Sequence, residues 1–302
     1  MKNNFNKNSL VSVIMPVYNG SKFVAEAIES ILNQDYKNLE LIIVNDGSKD
    51  NTLSILHQYK SFPQVKIISY GKNKGESVAA NIGFKATKGE FIARMDADDI
   101  CRFDRIGKQV KFMLANPETI VLGTQAEIIN EEGKITGKKT FPLDHKSIYQ
   151  TYGIYHPMLH PSCMFRRSLL PDQKQLWENA HEPNDDYYTL FRLLKFGKFA
   201  NLAESLVGYR IHSNNKSLQH VRRKVIHFLQ IRIDAIRFFG YRPTMKAVLI
   251  NIGQLIGAVI LPDRFILLGY SFLRGIISPR PNISPIKRVT VVLREAFSVA
   301  FY

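Results

Sequence analysis

The first hundred residues predict an α/β fold with a parallel sheet covered by helices on both faces, and three observations carry that prediction. Apolar runs recur as VSVIMPVY (11–18), LELIIVND (39–46), VKIISY (65–70) and EFIARMDADD (90–99). They are continuous rather than alternating, as strands buried on both faces are. Helical patterns separate them, which is the signature of βαβ units. Polar residues gather where the runs end: Tyr18-Asn19, Asp46 and Asp96-Ala97-Asp98. In such sheets ligands bind outside the carboxyl ends of the strands, so these endings should converge on one edge.

Each element has a local reason. Asn19-Gly20 turns the chain out of the first strand, and Ser21 is placed to cap a helix whose Val24, Ala27, Ile28 and Ile31 share one face. Gly47-Ser48 closes the second strand, a helix is expected around 51–60, and GESVAANIGFKA (75–86) reads as another. Further on, IVLGTQAEIIN (120–130) reads as a strand, Glu132-Gly133-Lys134 as a turn and HPSCMFRR (160–167) as a strand. DDYYTLFRLLKFG (185–197) is a helix with Leu190, Leu193 and Leu194 on one face. Beyond residue 216 the pattern is helical, basic and apolar. No internal repeat or low-complexity stretch occurs.

The chain has 302 residues, 45% hydrophobic and 22% charged, which is an ordinary globular composition and long enough for one large or two modest domains. Two cysteines, Cys101 and Cys163, are too few for a disulfide framework or a cysteine zinc site. The opening MKNNFNKNSL lacks the apolar core of a secretion signal, so a cytoplasmic location is expected. The net charge of +15 is concentrated late: residues 221–302 hold 13 Lys/Arg against three acids. Such a local excess suits a polyanionic surface, either anionic lipid or nucleic acid. Residues 247–262 carry no charge but number only 16, against the about 20 that span a bilayer. With FILLGYSFL after Asp263-Arg264, they suit helices lying in the membrane interface, a shallow hairpin being the alternative.

Several residues are candidates for chemistry. Two carboxylates one residue apart, Asp96 and Asp98, can share a divalent cation that also holds a diphosphate; a solvated acidic turn or helix cap is the plainer alternative. Asp46, beside Gly47, can accept hydrogen bonds from a nucleotide base, or simply form an Asx turn. Asp185-Asp186 opens a helix, where carboxylates favour the helix dipole or serve as a general base. Arg210 and His212 close a loop where cationic groups could face a diphosphate. There is no Walker loop, GxGxxG, HExxH or GxSxG, which removes the main support for P-loop hydrolase, dinucleotide oxidoreductase and serine hydrolase readings.

In order and spacing, VSVIMPVYNG, ESILNQDY, LELIIVNDGSKDNT, NKGESVAANIGFKATKGEFIARMDADD, HPSCMFRR, DDYYTLFRLL and GYRIH resemble the family 2 glycosyltransferases with a GT-A fold, over roughly residues 10–213. The resemblance implies a catalytic domain over 1–215 and leaves 216–302 as a helical region associating with the membrane surface. It implies a nucleotide pocket at Pro16, Tyr18 and Asp46, with Asp96 near the ribose and metal. Asp98 would be the metal ligand, Asp186 the base, and Arg210 and His212 would approach the diphosphate or metal. Mn2+ or Mg2+ is the implied cofactor. The implied reaction is inverting, one sugar per encounter, from a nucleoside-diphosphate sugar (usually UDP-linked) to a saccharide or lipid-linked acceptor, in bacterial envelope polysaccharide synthesis. Asp185 stands where the family carries Glu, and Tyr188 where many relatives carry another acid; both touch on the acceptor. The implied location is the inner face of the plasma membrane. A nucleotidyltransferase and a basic nucleic-acid-binding protein are the rival readings; the latter lacks a recognition motif and leaves the acids unexplained.

Overall fold

A computed structural model describes residues 9–179, 184–212, 221–262 and 265–266. FILLGYSFL (265–273), apart from its first two residues, falls outside them, so its interfacial reading is untouched by the structure.

The first half follows the expected alternation. Strands β1 (Val11–Val17), β2 (Leu39–Asp46), β3 (Val65–Tyr70) and β4 (Phe91–Arg94) are joined through helices α1 (Val24–Leu32), α2 (Thr52–His57) and α3 (Glu76–Ala86). β1 pairs in parallel with β2 and β4, and β2 with β3. Then come β5 (Ile100–Cys101), α4 (Arg105–Ala115), β6 (Thr119–Ile129), β7 (Ile135–Lys139), α5 (His145–Tyr152), β8 (Met164–Arg166), α6 (Asp185–Leu193) and β9 (Lys198–Arg210). The sheet runs β3-β2-β1-β4-β8-β6-β9-β5, with β7 beside β6. Its second half is mixed: β8 is antiparallel to β4 and β6, whereas β6 and β9 are parallel.

Both faces of β1 are covered, which explains its unbroken apolar sequence. Val11, Val13, Met15 and Val17 pack with α1 and α4, while Ile14 faces Phe84 of α3 and the second core. That second core continues through Tyr152, Trp177, Tyr187 and Phe191 into Ile231, Ala235 and Tyr241. The last three belong to, or directly follow, α7 (Val221–Phe239), which precedes α8 (Met245–Ile260). The C-terminal helices therefore share a core with the sheet. Arg232 binds the Tyr187 hydroxyl at 3.1 Å, and Asn251 donates to the Gly153 carbonyl at 2.9 Å.

Three expectations are corrected. Ser21 does not cap α1: its N–H donates to Asp50 at 3.0 Å, and the helix begins after Phe23 with no side-chain cap. HPSCMFRR is not one strand, because Pro161 offers no N–H to a ladder; His160–Ser162 forms a 3-10 turn and only Met164–Arg166 pairs. The segment before His212 is not a loop but the end of a 13-residue strand, β9.

No helix among the described residues is long and apolar enough to cross a membrane. α8 nevertheless leaves Leu249, Ile252, Leu255, Ile256, Val259 and Ile260 exposed.

Candidate active site

The strand endings do converge. They border a cleft of about 1110 Å³ whose walls include Pro16, Tyr18, Asp46, Asp96, Asp98, Asp186 and His212. The opposite wall comes from α7 and α8, through Lys224, Phe228, Arg232, Gly253 and Gly257.

Asp46 ends β2 and is buried. Its carboxylate oxygens accept from the backbone N–H groups of Lys74 (2.7 Å) and Gly75 (3.0 Å), which ties the loop before α3 to the strand end. Gly47 is required beside it: φ is +70°, and a Cβ there would meet the Lys72 and Asn73 backbone at 2.7 Å. Pro16 lies one strand over, and Tyr18, 43% exposed, stands at the rim.

The acids after β4 form a tight group. One carboxylate oxygen each of Asp96, Asp98 and Asp99 lies within 4.8 Å of the others. Asp96 pairs with buried Arg94 at 2.8 Å, and Arg94 also holds Glu76 at 2.8 Å. Burial pushes the Asp96 carboxyl up to about 7; Arg94 opposes this, and the Glu76, Asp98 and Asp186 charges add to it. Burial also raises Asp99 well above the usual carboxylate range, followed by the charges of Asp98 and Asp96. Asp99 Oδ2 is buried with no hydrogen-bond partner. Crowded carboxylates with an orphaned oxygen are a hard-oxygen donor set that fits Mg2+ or Mn2+. His212 Nε2 stands 3.0 Å from Asp98 Oδ2 and its ring lies 5.3 Å from that of Phe23.

Arg210, expected to face the diphosphate, lies behind the cleft instead. It is 1% exposed. Its guanidinium donates to the carbonyls of Asp98 (2.7 Å), Asn130 (3.1 Å) and Glu131 (2.8 Å), pairs with Glu26 at 2.5 Å, and covers the Phe23 ring. Its backbone N–H donates to Asp99 Oδ1 at 2.9 Å. It braces the acid loop from below.

Asp186 lies in the first turn of α6 with its side chain about one-third exposed, and one oxygen accepts from the Tyr187 N–H at 2.7 Å. Burial works against its ionisation, but His156, His160 and that N–H outweigh it and hold the carboxyl below the usual range. His160 is kept uncharged: burial first, then Arg94, pushes it down to about 3, while its Nε2 accepts from Trp177 Nε1 at 2.8 Å.

Four participants escaped the sequence reading: Glu76, Arg94, His156 and His160. Arg94 had a usable signal, since residues two apart on a strand share a face and Arg94 precedes Asp96 by two. His156 and His160 had none, because the turn at Pro161 decides where they point.

The cleft gathers acidic side chains from several strand ends, and comparison with known proteins identifies the family. Residues 12–172 match the model of glycosyl transferase family 2. The chain belongs to that family. This family 2 glycosyltransferase is 33% identical over 216 residues to the O-antigen biosynthesis glycosyltransferase WbnJ of Escherichia coli, covering 70% of this chain and 82% of that one. In fold it resembles S. aureus TarS, solved with UDP-GlcNAc (TM-score 0.58, 19% identity, 96% and 90% of the two chains). It also resembles the mannosyltransferase PcManGT of Pyrobaculum calidifontis, solved with GDP-Man and Mn2+ (TM-score 0.57, 17% identity, 96% and 85%). The glycosyltransferase fold is therefore GT-A, as expected.

Proposed function

We propose that this glycosyltransferase moves a sugar from a nucleoside-diphosphate donor, UDP-linked, to a hydroxyl of a saccharide or lipid-linked acceptor, with inversion and with help from a divalent cation. The observation that carries the reading is that Asp46, Asp96, Asp98 and Asp186 line one cleft although they span 140 residues of sequence. Asp46, Pro16 and Tyr18 would take the base, Asp96 the ribose side, and Asp98 with His212 the cation. A bound Mn2+ or Mg2+ stabilises the charge that develops on the leaving diphosphate. Asp186 accepts the proton of the acceptor hydroxyl as its oxygen attacks the anomeric carbon. The bond from that carbon to the diphosphate oxygen breaks, and its electron pair leaves with the diphosphate.

WbnJ is named for O-antigen biosynthesis, which supports a role in bacterial envelope polysaccharide synthesis. The exposed apolar residues of α8, beside exposed Arg223, Arg237, Arg242 and Lys246, support binding to the inner membrane face. Residues 1–215 would then be the catalytic part and 216–302 the surface-binding part, although α7 and α8 also wall the cleft.

The test is calorimetric titration with UDP-, GDP-, TDP- and CMP-linked sugars, with and without Mn2+, beside Asp98→Ala. Metal-dependent binding of one nucleotide class, lost in the variant, is expected; no binding by any would overturn the proposal. Release of nucleoside diphosphate rather than pyrophosphate separates it from a nucleotidyltransferase.

A further inference from the structure

We propose that His156 is the positioning residue of the base: its imidazole donates from Nε2 to Asp186, fixing which carboxylate lone pair faces the acceptor and keeping the carboxylate ionised. The inference rests on the reading of Asp186 as base and adds a second residue to it.

Four observations support it. His156 has a nearly buried side chain, 6% exposed, in a loop after α5, and lines the cleft with Asp186. Its Nδ1 accepts from the Met158 backbone N–H at 3.4 Å. That contact places the ring proton on Nε2. Nε2 is buried with no hydrogen bond, and Asp186 Oδ2 lies 3.5 Å away. A buried donor whose acceptor stands just too far is a contact placed to tighten in the substrate complex.

The second oxygen of Asp186 is already engaged by the Tyr187 N–H. Once His156 closes onto the other oxygen, each oxygen has one donor, the carboxylate is held against rotation, and a lone pair is left for the acceptor hydroxyl. The ring of His156 itself packs beside the paired rings of Tyr152 (6.0 Å) and Tyr187 (5.4 Å). A hydrogen-bonded, aromatic-walled imidazole is a rigid anchor, and rate is sensitive to small misplacements of a catalytic group.

Other ionisable groups lie near Asp186 or line the same cleft. Asp96 after β4 opposes its charge, Tyr152 and Cys163 are held protonated by burial and carry none, and uncharged His160 and the α7 cations Lys224 and Arg232 line the cleft with it. Arg232 is occupied by Tyr187, Asn251 and Gln254. Against these, His156 places a ring nitrogen 3.5 Å from a carboxylate oxygen of Asp186.

The test reads the pair in the full-length protein by NMR. Long-range 1H–15N spectra report the His156 tautomer. Carboxyl-13C titration reports Asp186, identified by its missing signal in Asp186→Asn. The expected result is an Nε2–H tautomer, with an Asp186 midpoint that rises by about one pH unit or more in His156→Phe. His156→Gln, whose amide nitrogen can stand in for Nε2, should return the midpoint most of the way. In transfer assays with the donor class found by titration, His156→Phe should lose about 100-fold in kcat with donor KM unchanged, and His156→Gln should recover much of it. An Nδ1–H tautomer, or an Asp186 midpoint unmoved in a folded His156→Phe, overturns the proposal. If instead Asp186→Asn keeps its transfer rate, the base reading falls while the NMR result stands.

Discussion

The two ends of the cleft are held by different physics. At the donor end, carboxylates crowd together and two buried arginines answer them: Arg94 pairs with Asp96 and Glu76, and Arg210 braces the loop that carries Asp98 and Asp99. At the far end the wall mixes an aromatic pair with the α7 cations: Phe228 packs edge-on against Tyr187 at 4.9 Å, and Lys224, Arg232 and the glycines of α8 line the same wall. One end concentrates carboxylates, the other sets aromatic rings beside cations. Asp186 lines the same cleft. The contrast teaches that the sheet gathers the acidic end and the helices shape the other.

The largest expected effect breaks the cleft at its proposed base. Asp186→Asn should lower kcat between about 100- and 10,000-fold while leaving nucleotide affinity within a factor of about two, read by calorimetry beside kinetics. Equal loss of both would make Asp186 part of the donor end.

Next comes the brace. Arg210→Ala leaves Glu26 and three backbone carbonyls without their buried partner, and should cost about 3 kcal/mol of unfolding free energy in urea, with nucleotide binding weakened. A variant that unfolds normally but fails to bind nucleotide would return Arg210 to the ligand.

The third sharpens the histidine boundary. His160 has a folded value of about 3 against about 6.5 when unfolded. The unfolded chain therefore binds more protons between those limits, and the His160 contribution is complete at neutral pH and lost as pH falls. The stability advantage of the wild type over His160→Gln should shrink by about 2 kcal/mol between pH 7 and pH 5, measured by urea denaturation at each pH. Comparing the two proteins removes the opposing slope from Asp96, whose raised value makes it gain stability in acid.

The smallest effect concerns the outside of the far end. Leu255→Ser with Val259→Ser should weaken binding to anionic vesicles about tenfold and leave nucleotide affinity unchanged. Vesicle binding that survives would assign the attachment elsewhere in the chain.

The same contrast governs what could be read in advance. β1 to β4 were legible because burial on both faces forces continuous apolar runs, and the donor acids because they sit at the strand ends. α4 was not: Arg105 and Gln109 occupy core positions, satisfied by the Arg94 and Leu122 carbonyls, so the apolar stripe is interrupted. β9 was hidden by its bulge, where register slips from Leu202 to Ser205 opposite Thr124 and Gln125, spoiling any period of two. Arg210 was misplaced for the same reason, since an arginine ending a buried strand looks, in sequence, like one on a loop. α7 and α8 showed their basic, apolar character but not that Ile231, Ala235 and Tyr241 would enter the core.

The bracing of the acid loop by β9 has a consequence for synthesis on the ribosome. The stretch that matches the family model is translated by residue 172. Yet β5, two residues long, is paired by β9, and Asp99 takes its backbone donor from Arg210. More than a hundred residues must follow the acids before the loop bearing them acquires its support. A nascent chain stalled short of β9 should thus display a largely formed sheet that cannot retain nucleotide, and donor affinity would switch on late, as β9 leaves the exit tunnel.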